Sequence, residues 1–161
     1  VLFGLPAGPR DLRGLGNSLL PGNLDPTAFD DVHWVGAHEA FQATATLHQE
    51  TSLKRGPTSG AAYIVARWYA RRFPDKKVLA IFPDDSVRYE QTVFNPQWLR
   101  AGGYDAQSYA KEPIKIDSPA DADAGVGWAM INWSRRTLQA VIGSGEVSTA
   151  SIEQISRELV P

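Results

Sequence analysis

Five consecutive residues, Gly56-Pro57-Thr58-Ser59-Gly60, carry the densest chemical potential in the chain. Two hydroxyls stand between glycines just after a proline, and a periodic apolar stretch begins at once, so the turn opens a helix. Hydroxyls and free backbone N–H groups at a helix start suit an anion or a polar ring atom, although the same hydroxyls also serve as ordinary caps. A serine-hydrolase elbow reads G-x-S-x-G, and here the serine stands one place late. Asp84 and Asp85 are a candidate acid and base, but adjacent side chains diverge and aspartates leaving a strand are common turn formers. Gly14-Leu15-Gly16 starts like a dinucleotide fingerprint and then departs from it, because Leu19 occupies the third glycine's place.

Other chemistries are removed by composition. The absence of cysteine eliminates disulfides, thiolate nucleophiles and cysteine-based zinc sites, and fits a cytoplasmic setting. His33, His38 and His48 form neither H-x-H nor H-x-x-x-H, so they read as polar surface and no metal site is expected. Sixteen Lys+Arg against eighteen Asp+Glu give a net charge of −2 without a long basic run, which argues against nucleic acid as a partner. No apolar run approaches the roughly 20 residues of a bilayer span, so no membrane association is expected.

The elements that must position the turn follow from periodicity. Residues 5–27 are too rich in proline and glycine for more than one short helical turn. Val32-His33-Trp34-Val35 reads as a strand, and residues 38–50 as a helix with Phe41, Ala45 and His48 on one face. In the helix that follows the turn, Ala62, Val65, Ala66, Tyr69 and Phe73 form an apolar stripe that Ala61, Ile64 and Trp68 widen. Arg67, Arg71 and Arg72 lie opposite, and Pro74 stops the element. Val78-Leu79-Ala80-Ile81-Phe82 is the continuous apolar run of a parallel strand buried on both faces. Strands alternating with helices predict an α/β fold whose ligand edge lies at the strand ends, here Pro83-Asp84-Asp85-Ser86 together with the helix-opening turn at Thr58. Residues 102–119 read as a linker. Trp128, Ile131, Leu138 and Ile142 then predict a helix over 121–142, closed by Gly143-Ser144-Gly145 and followed by a short helix with Ile152, Ile155 and Leu159.

Taken in order, four segments resemble the cysteine synthase and cystathionine β-synthase family of pyridoxal-phosphate enzymes. The first runs from Gly8-Pro9 through Leu12-Arg13-Gly14-Leu15-Gly16 to Leu20-Pro21 and Asn23-Leu24-Asp25. The second is Phe29-Asp30-Asp31-Val32 leading to Glu39-Ala40-Phe41. The third is the Gly56 turn with Ala61-Ala62, and the fourth is Ile81-Phe82-Pro83-Asp84 with Ser86-Val87-Arg88-Tyr89 and Thr92. Order and spacing agree over residues 1 to about 100.

The resemblance implies the C-terminal part of a tryptophan synthase β-like, fold-type II domain over residues 1–103, with a mostly parallel sheet, and a C-terminal extension with a helical hairpin over 104–161. It implies pyridoxal 5'-phosphate as cofactor, bound by Thr58, Ser59, Pro83 and Asp84, with Gly14, Gly16 and Asn17 on the substrate side. Thr58 would donate to the pyridine nitrogen. Asn17, Val87 and Thr58 itself depart from the residues usual in the family. The implied reaction is β-replacement on an activated L-serine, O-acetyl- or O-phosphoserine, through an aminoacrylate, either cysteine synthase-like or diaminopropionate synthase-like. The family's Schiff-base lysine has no match among Lys54, Lys76, Lys77, Lys111 and Lys115, so no catalytic residue is assigned to this chain. The apolar start at Val1 suggests a chain entered in mid-fold, from a processed or cleaved protein. The expected partners are therefore the N-terminal half of the same enzyme, an amino-acid substrate and further copies of the assembled unit; the alternative is a non-catalytic subunit that stabilises or regulates a true synthase.

Overall fold

β-branched and aromatic residues make the first strand where the sequence predicts it: β1 spans Asp31–Val35 in the computed structural model, which describes residues 23–105, 109–122 and 127–142. Just before it, Pro26–Ala28 form a 3-10 turn capped by the Asp25 carboxylate, and the rest of the predicted loop up to residue 22 lies outside the described residues. Helix α1, Ala37–Thr51, ends where Ser52 takes the left-handed conformation (φ 62°) and returns its N–H to the His48 carbonyl.

Helix α2, Pro57–Arg72, places Pro57 in its first turn and Arg71 and Arg72 in its last, where each suits the helix ends. It packs on α1 through its smallest residues. Gly60 lies so close to α1 that a Cβ there would collide with Thr44 Oγ1 and the Ala40 carbonyl. This contact rotates both helices away from the predicted faces. On α1 the buried residues are Glu39, Ala40, Phe41, Ala43, Thr44 and Leu47, while His48 is exposed. On α2 they are Pro57, Ser59, Gly60, Ala61 and Ile64. The predicted stripe of Ala62, Val65, Ala66 and Tyr69 is only half-buried, and Phe73 is exposed.

After α2 come α3, Pro96–Ala101, capped by the Asn95 side chain, and β2, Ile114–Lys115. The predicted helix over 121–142 is not formed. Pro119–Asp121 make a 3-10 turn, β3 spans Trp128–Asn132, and α4 is only Leu138–Ile142. Four consecutive buried residues, Trp128, Ala129, Met130 and Ile131, explain the strand: it is central and covered on both faces, so its apolar run shows no alternation. Ser134 and Arg135, both at positive φ, separate it from α4. The second helix expected after residue 145 lies outside the described residues.

The sheet is ordered β1-β3-β2 and is mixed rather than mostly parallel. β1 runs antiparallel to β3, with Val32 opposite Ile131 and His33 opposite Met130, whereas β2 runs parallel to β3. Residues on both sides of position 103 thus build one sheet. On one face Ile131, Trp133 and Leu138 pack with Val32 and Trp34; on the other Trp128 packs with Ala43 and Ile64 of the helices.

The run at 78–82 is also corrected. It is extended but pairs with no strand among the described residues, and Leu79 and Ile81 are 90% and 75% exposed. A buried parallel strand exists only where neighbours flank it, and β1, β2 and β3 all lie elsewhere.

Candidate functional site

The turn that opens α2 meets the chain leaving the 78–82 run. The Gly56 N–H donates to the Asp84 carbonyl (3.4 Å), and Arg55 and Asp85 form an antiparallel bridge beside it. Approach is close enough that a Cβ on Gly56 would collide with the Asp84 carboxylate and the Tyr89 ring, so glycine at 56 is a condition of the contact. Fully buried Ser59 donates through Oγ to Asp84 Oδ1 at 3.0 Å. Tyr89 also hydrogen-bonds Asp84; burial, and then this carboxylate, raise the phenol above its ordinary value.

Asp85 faces different partners, as expected of adjacent aspartates. Its carboxylate accepts from the Ser86 and Val87 backbone N–H groups, which hold it below the usual carboxylate range. It closes the turn that leads into the short 3-10 segment Val87–Tyr89.

Thr58 and Pro83 line the same open apolar groove, of about 600 Å³, between β1, α2 and the 78–82 run. The α2 stripe predicted as core forms one wall, and Val78, Leu79 and Ile81 form the other. The Thr58 hydroxyl makes no hydrogen bond to any described residue. Four of the predicted site residues therefore come together: Thr58 and Pro83 at the groove, Ser59 and Asp84 in the bond that pins its rim. Gly14, Gly16 and Asn17 lie outside the described residues.

His33 was read as polar surface, but it lines this groove and its ring is largely enclosed. Trp128 Nε1 donates to its Nδ1 at 3.1 Å, which fixes the proton on Nε2, and Nε2 is buried with no hydrogen-bond partner among the described residues. The Trp68 and Tyr69 rings stand edge-on to the imidazole. Enclosure pushes its pKa down to about 4, against a smaller opposing pull from Asp31. Strand alternation was the available signal, since His33 shares a face with Val35. Tyr69, whose hydroxyl donates to Asp31, completes that wall, and burial raises its phenol well above the ordinary value.

Among the described residues no three His, Asp or Glu side chains gather as a metal would require, and no helix is long and apolar enough to cross a membrane. The arrangement is that of an apolar slot with a hydroxyl, unbonded to any described residue, at a helix N-terminus, suited to a flat ring carrying an acceptor atom.

Comparison with known sequences finds relatives. The chain is 34% identical over 125 residues to N-(2-amino-2-carboxyethyl)-L-glutamate synthase of Ralstonia nicotianae, a match covering 73% of this chain and 36% of the relative. It is 33% identical over 90 residues to a cysteine synthase of Helicobacter pylori (55% of this chain, 29% of the relative). A cysteine synthase of Buchnera aphidicola is 34% identical over 87 residues (53% and 28%). The chain is thus a homologue of the cysteine synthases, and it spans about a third of the length of the curated relatives it matches. No family model and no solved structure matches it.

Proposed function

We propose that this chain is the C-terminal part of a pyridoxal-phosphate-dependent β-replacement enzyme acting on an activated L-serine, O-acetyl- or O-phosphoserine. The observation that carries this reading is the Thr58 hydroxyl at the mouth of α2, unbonded to any described residue and in one groove with Pro83. The groove has room for a substituted pyridine, and its walls are apolar.

Bound there, the coenzyme supplies the electron sink that labilises the bonds at a substrate's α-carbon. Thr58 Oγ1 donates to the ring nitrogen, and the positive end of α2 disfavours a proton on that atom. A neutral nitrogen makes a weaker sink, which suits elimination and replacement over transamination. The Ser59 to Asp84 bond fixes the turn, Gly56 permits its approach to Asp84, and Pro83 shields the ring edge from water.

The polypeptide matching the remaining length of the relatives supplies the covalent anchor and the neighbours of the 78–82 run, in this reading. Support comes from the exposure of Leu79 and Ile81 and from the uncovered stripe of α2, both apolar and both facing one groove.

The test is to purify the intact assembly and record its visible absorbance, then add O-acetylserine or O-phosphoserine. A coenzyme band that shifts with substrate is expected; a colourless assembly with no second polypeptide overturns the reading. Thr58→Asp should lower turnover by about tenfold or more, because a carboxylate there would retain the proton on the ring nitrogen. Circular dichroism should stay unchanged, since an aspartate suits the first turn of a helix. Unchanged turnover removes Thr58 from the site.

A further inference from the structure

The opposite face of α2 carries a second, chemically different concavity. Residues 62, 65, 66 and 69 line the Thr58 groove, whereas 64, 67, 68 and 71 line a polar pocket of about 280 Å³ between α2, α1 and residues 109–111. Helical geometry puts these two sets about half a turn apart.

Three cations, Arg67, Arg71 and Lys111, border this pocket against one carboxylate, Glu50. Glu50 does not neutralise them. It bonds Arg67 Nη1 at 2.7 Å and also accepts from the Tyr63 hydroxyl, and these contacts, Tyr63 foremost, hold it below its ordinary pKa. Its role is to fix the Arg67 guanidinium in place, leaving the charge of Arg71 and Lys111 in excess. Two half-buried hydroxyls in the lining are already partnered, Thr46 Oγ1 donating to the Gln42 carbonyl at 2.9 Å and accepting from Tyr109 Oη at 3.2 Å, and the Trp68 ring adds a flat wall. A solvated cationic face would be convex and open; here the charges border a recess.

We propose that this pocket binds a small oxyanion, a carboxylate or a phosphate, at a site separate from the Thr58 groove. Guanidinium groups recognise either oxyanion through paired N–H donors, and Lys111 adds a point charge. The ligand is a free small molecule, since the recess is too small for a macromolecular segment.

The full chain is titrated calorimetrically with inorganic phosphate and, separately, with succinate, each against sodium chloride at matched ionic strength. Saturable heat with either probe is expected, and the stronger of the two tells phosphate from dicarboxylate recognition. Arg71→Gln and Lys111→Gln should each weaken binding by about tenfold, as loss of one charge-assisted contact does. Both side chains are exposed, so the variants fold, which circular dichroism verifies. Heat that chloride reproduces, that fails to saturate, or that survives the double variant unchanged overturns the site.

Discussion

His33 gives the stability of this chain an acid-labile share. Its Nδ1 accepts from Trp128, and a protonated imidazole has no acceptor to offer, so the folded state favours the neutral form. The native pKa lies near 4 against an ordinary 6.5. The unfolded chain therefore binds the proton first as pH falls. The contribution is complete above about pH 6.5 and is lost progressively down to about pH 4, where it levels off. The difference is worth up to about 3 kcal/mol. Of the groups that face the ring, Asp31 opposes the shift, while Tyr69 is held protonated and does not titrate in this window. Urea midpoints measured from pH 7.5 to 4 should fall for the natural protein, and the fall should be much shallower in His33→Gln, which retains an acceptor for Trp128 without titrating. Equal slopes would show that another group controls the acid limb. Gly60 sets a second limit at this scale: Gly60→Val should cost about 1–3 kcal/mol or more in urea midpoint, because neither Thr44 nor the Ala40 carbonyl can retreat without parting α1 from α2.

Among elements, α2 was legible from its first residue to its last, since Pro57, the arginines of the final turn and Pro74 are local signals read within a few residues. The coincidence of Thr58 with Pro83 and Asp84 was legible for the same kind of reason, a helix start placed against a strand exit. β3 was not. Trp128, Ile131, Leu138 and Ile142 recur at a helical interval by accident, and a short apolar run cannot be assigned from periodicity when both faces are buried. Its pairing with β1 joins distant residues, and nothing local announces it. The faces of α1 and α2 were misjudged because the contact is made by Gly60, Ala61, Ala40 and Ala43, whose size matters more than their hydropathy. The 78–82 run yields a prediction at this scale. Leu79→Lys combined with Ile81→Lys should change the stability of the isolated chain by less than about 0.5 kcal/mol, because both side chains already face solvent. The same double variant should prevent recovery of the coloured assembly, measured by co-purification of a second polypeptide. A large loss of stability in the isolated chain would mean that the run is buried within it.

At the scale of the whole molecule, the central position of β3 has a temporal consequence. During synthesis α1 and α2 can join as soon as residue 72 has emerged, since they are neighbours in sequence. Among the described residues β1 finds its hydrogen-bonded neighbour only in residues 128–132, and Val32 and Trp34 stay without their cover of Ile131 and Trp133 until these emerge. Between the emergence of residues 72 and 132 the nascent chain is thus a helical pair trailing a bare, sticky ribbon, the period in which a holding chaperone would matter most.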